Sequence, residues 1–278
     1  MFYNHAVSMS AAFEQAWMLL KAVFQPAEGY RIGEGMNQIV YGQEGDPDVT
    51  KVGALSTLPD MYLHQLLAQD PNSFFVGQAP IAHTMELPIE AEARMRSRVP
   101  ILSQQPRVIP LEEGESKRAD AIRGRQLMQA VYDMPDERGR LFEALGLADI
   151  KPPNWGQSIQ NRGLRISDIT GDPSREGRAL VHDPMFYGSV NPQEFDARMA
   201  AQAARGTPRR FGIDYEIPED IKESFARRVD ELPFEQFAQP VFDYEVPMSA
   251  AQEGLLHEGV AEQERDLQSM LGRIGVLG

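Results

Sequence analysis

The chain contains no cysteine. Disulfide bonds, thiolate metal sites and thiol nucleophiles are thereby excluded, and a reducing cytoplasm is the expected compartment. Long apolar runs are also missing: no stretch approaches the roughly eighteen residues needed to cross a bilayer. The first residues lack the basic-then-apolar plan of a secretory leader. Basic residues are scarce, with 27 lysines and arginines against 41 acids and a net charge of −14. That balance argues against a nucleic-acid or anionic-membrane surface. The five histidines (His5, His64, His83, His182 and His257) are too scattered for metal-ligand spacing and are expected to be structural or superficial. What remains is ample: 278 residues, 42% of them hydrophobic, enough for one two-lobed unit or two small domains.

The most informative stretch is residues 149–168. Asp149, Lys151 and Asn154 fall within six positions, in a segment that Pro152 and Pro153 keep out of a helix. A turn at Asn161-Arg162-Gly163 and a short strand, Leu164-Arg165-Ile166, would bring Asp168 back beside Asn154. Two hard oxygen ligands so placed suit magnesium, which takes one or two carboxylates plus phosphate oxygens. Upstream, Gly33 and Gly35 form a Gly-x-Gly loop in which no Cβ blocks backbone amides from a phosphate. Ile39-Val40-Tyr41 is a strand candidate, Gly42, Gly45, Asp46 and Pro47 make a turn, and Val49-Thr50-Lys51-Val52 is a second strand carrying Lys51.

Glycine loop, strand lysine, D-x-K-P-x-N loop and a later Asp, in this order from Gly33 to Asp168 and over about half of the chain, resemble the eukaryotic-type protein kinases. The resemblance implies an α+β, two-lobed, protein-kinase-like fold with a small β-rich lobe, a larger helical lobe and a divergent C-terminal region. Its boundaries fall at an N-terminal helical segment 1–26, a small ATP-binding lobe 27–114, a large lobe with the catalytic loop 115–190, and a divergent helical part or tail 191–278. It implies an ATP- and magnesium-dependent phosphotransferase acting on a serine or threonine hydroxyl of a protein. Asp149 would then be the base, Lys151 would touch the transferring phosphate, and Asn154 and Asp168 would hold the metal. Gly33, Gly35 and Val40 would cover the nucleotide, and Lys51 would pair with its phosphates.

Departures from that pattern are plain. Gln38 stands at the third glycine, Leu147-Ala148 replaces His-Arg before the base, and Asp168 is followed by Ile169-Thr170 with Gly171 one place late. No Ala-Pro-Glu follows, and His182-Asp183-Pro184 is no substitute. Without the arginine there is no receptor for a phosphorylated activation loop. The acid for Lys51 is open: the helix expected over 59–69 has no Glu, with Gln65 where a pairing acid would fall, whereas a helix over 88–96 offers Glu92 or Glu90. Solvent-facing helix charges are the other reading of those two acids.

Residues 99–102 and 107–111 are expected to form the last hairpin of the small lobe, with Glu112-Glu113-Gly114 as the connector. Helices over 119–132 and 136–145 follow, the second burying Leu141, Phe142 and Leu145. An amphipathic helix over 8–24, with Phe13, Trp17, Leu20 and Phe24 on one stripe, is expected to pack on the small lobe. An alanine-rich helix is expected over 191–204. In the tail, Asp214-Tyr215-Glu216 and Asp243-Tyr244-Glu245 lie in two similar extended stretches, each leading into a helix, at Glu219 and Ser249. As a repeat they are candidate protein-docking segments or a pair of strand–helix units, and coincidence is the other reading. Arg205, Arg209 and Arg210, and Arg94, Arg96 and Arg98, form small clusters that read as solvated faces, with recognition of an acidic substrate or phosphate as the other reading. Two alternatives to a kinase stay open: a pseudokinase that binds nucleotide or a partner, and a non-catalytic structural or assembly protein, viral in one version.

Overall fold

The computed structural model describes residues 31–34, 38–43, 45–70, 73–82, 99–111, 141–142, 144–148, 154–167, 173–182, 185–186, 217–246 and 248–277. The expected helices over 8–24, 88–96, 119–132 and 191–204, the connector 112–114 and the first tail segment up to residue 216 lie outside them.

Five short strands form an antiparallel sheet, β1 (Arg31–Glu34), β2 (Gln38–Tyr41), β3 (Asp48–Ala54), β4 (Ala79–Ile81) and β5 (Pro100–Pro106), in the order β1-β2-β3-β5-β4. Its register separates two faces. Ile39, Val52 and Leu102 lie opposite one another and, with Tyr41, make a small apolar cluster against Ile81. Gly33, Val40, Lys51, Ser103 and Pro80 form the adjacent row, on the other face.

A tight turn, Leu55–Thr57, leads from β3 into helix α1 (Leu58–Ala68), with Pro59 in its first turn, where a missing N–H costs nothing. The expectation of an apolar side at Tyr62, Leu63, Leu66 and Leu67 is met, but the helix is buried nearly all round, His64 included. A second antiparallel sheet combines β6 (Val108–Pro110), β8 (Trp155–Ser158), β9 (Leu164–Arg165) and β10 (Arg178–Val181) in the order β6-β8-β10-β9. A short pair joins β7 (Leu147–Ala148) to β11 (Met185–Phe186). The fold is thus α+β.

Two expectations about pairing are corrected here. Residues 100–110 do not form a hairpin: only Arg107 separates β5 from β6, too little chain to reverse, so β6 continues onward and pairs with β8. The strand from Leu164 does not return beside the Asn154 segment. β10 lies between β8 and β9, and Ile166 already belongs to a helical turn. The turn before it stands where expected, with Asn161 at φ 54° and Gly163 at φ 104°.

The main core is aromatic. Phe74 stacks on Trp155 at 5.9 Å and meets Phe142 edge-on at 5.5 Å, with Leu141 and Leu145 buried beside them as expected. The segment after α1 is stitched to β10: the Val181 N–H donates to the Phe74 carbonyl (2.7 Å) and the Val76 N–H to the Val181 carbonyl (3.0 Å). Gly156 is closely packed in the second sheet. A Cβ there would lie 2.7 Å from the Val108 Cβ and 3.0 Å from the Ile109 carbonyl oxygen, neither of which can swing away. Gly156→Ala is therefore expected to destabilise the chain by about 1–3 kcal/mol, the usual cost of overpacking, read as a lower urea midpoint at unchanged slope.

The C-terminal residues form α2 (Glu219–Glu231), α3 (Phe234–Ala238) and α4 (Ala250–Arg273). As expected, α2 starts at Glu219, and Ser249 caps α4 in a reciprocal box with Gln252. The stretch at Val241–Glu245 is not extended. Pro240 sits in a 3-10 turn, Gln239–Val241, and the Phe242 and Asp243 N–H groups donate back to Gln239 and Pro240. These helices pack on α1: the Tyr62 hydroxyl donates to the Leu232 carbonyl at 2.7 Å, and its ring meets Phe234 and Phe237 at 5.3 Å. No helix among the described residues is long and apolar enough to cross a membrane.

Candidate functional site

Lys51 occupies the centre of β3 with only 2% of its surface exposed. A charged ammonium so buried needs polar partners. It donates to the His182 carbonyl at 3.1 Å, and Gln105, on the same face of the next strand, donates to that same oxygen at 2.9 Å. The His182 N–H in turn donates to the Asn154 carbonyl at 2.9 Å. Two expected site residues, Lys51 and Asn154, thus meet at the backbone of one residue, 131 positions along the chain from the lysine. The Asn154 side chain is buried beside β8. Ser103, next to Lys51 in the row, accepts from the Gln78 side chain at 2.7 Å.

Val40 is directly opposite Lys51, and Gly33 directly opposite Val40. A Cβ at Gly33 would meet nothing nearer than the Val40 side chain at 3.7 Å, an ordinary contact. Packing among the described residues therefore does not demand glycine there, whereas close approach of a ligand backbone or phosphate would. Gly35, Glu90, Glu92, Asp149, Lys151 and Asp168 lie outside the described residues.

The helix side of this cluster differs from expectation. Gln65 does not turn toward Lys51: its Oε1 lies against Gly77, 2.5 Å from where a Cβ on that glycine would be. The neighbouring His64 is buried among aromatic rings. It packs edge-on against Phe186 at 5.6 Å and lies 6.1 Å from Phe75, which bridges to Val181. Burial, then the nearby Lys51 and His182, hold the imidazole well below its ordinary range, so it is neutral at pH 7.

The register also points to a residue that sequence spacing passed over. Trp155 pairs with Val181, so the residues flanking that pair, Asn154 and His182, are neighbours, and Asp183 follows His182 directly in the chain. Ile166, two residues before Asp168, instead donates to the Gly177 carbonyl at the opposite end of β10. At about 3.3 Å per residue, that is roughly 16 Å of strand from His182. The signal was present in the sequence as an apolar run, Ala179-Leu180-Val181, ending in a polar pair.

A separate cavity of about 160 Å³ is lined by Leu67, Phe74, Phe142 and Phe225, with Asp70 and Arg228 paired at 3.6 Å. None of the expected site residues that are described (Gly33, Val40, Lys51 and Asn154) lines it. No model of a known protein family matches the chain, and no curated protein matches it either.

Proposed function

We propose that this chain is an ATP- and magnesium-dependent phosphotransferase of the protein-kinase type, two-lobed, with a small lobe over 27–114, transferring the γ-phosphoryl group to a protein serine or threonine hydroxyl. The observation that carries it is the meeting of Lys51, on the third strand of an antiparallel sheet under a Gly–Val row, with the Asn154 segment at His182. A kinase site needs those parts together: a strand lysine on the phosphates and an asparagine beside them for the metal. The helix that follows the lysine strand, α1, agrees with the same plan.

Asp149 would take the hydroxyl proton, and Lys151 and Lys51 would hold phosphate oxygens as fixed charges already in place before reaction. With a net charge of −14, that local positive charge is what draws a polyanion in. The donor set, an asparagine amide oxygen and an aspartate carboxylate, is hard and fits magnesium. Magnesium, when bound with ATP, would neutralise charge across the β- and γ-phosphates.

A second assignment of the metal aspartate is favoured by strand order. Asp168 is the position that loop spacing implies, whereas Asp183 directly follows the residue bonded to Asn154. The test of the function is transfer of label from γ-labelled ATP with magnesium by purified protein, beside Lys51→Met. Labelling of the chain or a generic protein acceptor, lost at least about a hundredfold in the variant, is the expected result. Magnesium-dependent ATP binding without transfer would mean a pseudokinase. Neither binding nor transfer would leave a structural or assembly role.

A further inference from the structure

We infer that the cavity of about 160 Å³ between α1, the Phe74 segment and α2 binds a small molecule built on one aromatic ring with an uncharged hydrogen-bond acceptor. The site is independent of the phosphotransferase reading, since its lining shares no residue with the Lys51 cluster. Its apolar walls are Leu67, Phe74, Leu141, Phe142, Ile221 and Phe225. An apolar cavity of about 150 Å³ lined by such residues stays dry and accepts a benzene-sized molecule. The walls are held apart. Phe74 stacks on Trp155, lies edge-on to Phe142 and accepts through its carbonyl from the Val181 N–H. Across from it, Ile221, Ser224, Phe225 and Arg228 recur at helical spacing along one face of α2. Arg228 clamps that face, donating to the Leu66 carbonyl at 3.2 Å and pairing with Asp70 at 3.6 Å.

Four polar residues complete the lining, Asp70, Ser73, Ser224 and Arg228. Asp70 and Arg228 offset each other's charge, so the site favours an uncharged ligand over an anion. The hydroxyls set the ligand's polar group. Ser73 is only 6% exposed, and its oxygen accepts from the Phe75 N–H at 3.1 Å. Its own proton has no acceptor among the described residues. Ser224, half-buried on α2, has no hydrogen-bond partner among them either. Two unspent donors beside an apolar space call for an acceptor oxygen on whatever fills it. Protein interiors are close-packed, and an unfilled void works against folding. A larger apolar side chain at position 224 would close this one. The small hydroxyl residue instead leaves room for a ring and offers it a hydrogen bond, the usual plan of a ligand pocket.

The experiment titrates phenol, benzene and benzoate into wild type and Ser224→Met, reading dissociation constants by calorimetry and the melting temperature with and without each compound. Wild type is expected to bind phenol with a dissociation constant of about 0.1–1 mM, a range open to so small a ligand, and to melt higher in its presence. Benzene, which lacks the acceptor, should bind roughly three- to tenfold more weakly, the value of one hydrogen bond. Benzoate, facing the Asp70 carboxylate, should bind more weakly than phenol. Ser224→Met fills the space and is expected to melt at or above wild type while losing phenol. Should that variant fail to fold, Ile221→Phe, a larger side chain in the same wall, is read in the same way. Failure of both phenol and benzene to bind wild type up to about 10 mM, more than ten times the expected constant, would overturn the proposal. So would phenol binding that persists in the filled variant, or benzoate preferred to phenol. A tyrosine-containing peptide bound more tightly than phenol, and lost in the filled variant, would overturn it in favour of a partner protein's side chain.

Discussion

Asp149→Ala is expected to reduce phosphoryl transfer from ATP about a hundredfold or more while leaving magnesium-ATP binding nearly intact. Removing a general base takes away a proton acceptor needed only as the hydroxyl attacks, so the loss belongs in kcat. Loss of a metal ligand should look different, because metal and phosphates are held together in the ground state. The discriminating pair is Asp168→Ala and Asp183→Ala. Ile166 lies beside Gly177, at the far end of β10, whereas His182 is bonded to Asn154. On that geometry Asp183→Ala should lose about a hundredfold in transfer and weaken magnesium-dependent binding, with Asp168→Ala within about tenfold of wild type. The reverse pattern would restore the assignment implied by loop spacing. Indifference at all three positions would remove the kinase chemistry altogether.

Below about pH 6.5, the ordinary pKa of histidine, the folded chain is expected to lose stability more steeply in wild type than in His64→Leu. The folded-state pKa of His64 is depressed by burial, then by Lys51 and His182. The unfolded chain takes up the proton at about 6.5, and the folded chain resists it to a much lower pH. Stability is therefore fully present above that range and drains away as pH falls, with a slope of up to about 1.4 kcal/mol per pH unit from this one group. The charged or titratable groups that act on it are Lys51 on β3 and His182 after β10. Other histidines and the carboxylates contribute to the wild-type curve, so the difference between the two proteins is the quantity to measure, by urea unfolding at pH 7.5, 6.0 and 5.0. Parallel curves would mean that His64 takes up its proton as readily folded as unfolded.

Local features were legible in the sequence because local physics sets them. The β-branched runs at Ile39–Tyr41 and Val49–Val52 became β2 and β3, and the apolar spacing over 59–69 became α1 within a residue. The turn at Asn161–Gly163, where backbone with positive φ suits Asn and Gly, and the Ser249 cap also stand where their residue types put them. Nothing local distinguishes His64 from Gln65, however. In a helix buried nearly all round, the phase of apolar residues leaves open which of the two enters the core, and the packing of Phe75 and Phe186 places His64 there.

The sequence by itself determined the elements, the lysine at the centre of its strand and the acidic, cysteine-free character of the chain, because propensity, periodicity and charge act over a few residues. Tertiary structure alone decided that β6 leaves its neighbour for β8, that β10 inserts between β8 and β9, and that the last helices brace α1 through a Tyr62–Leu232 bond 170 positions long. Those choices are free-energy differences between alternative long-range pairings. They depend on which apolar faces can be buried together with every backbone group bonded, a property of the whole chain that no short window contains.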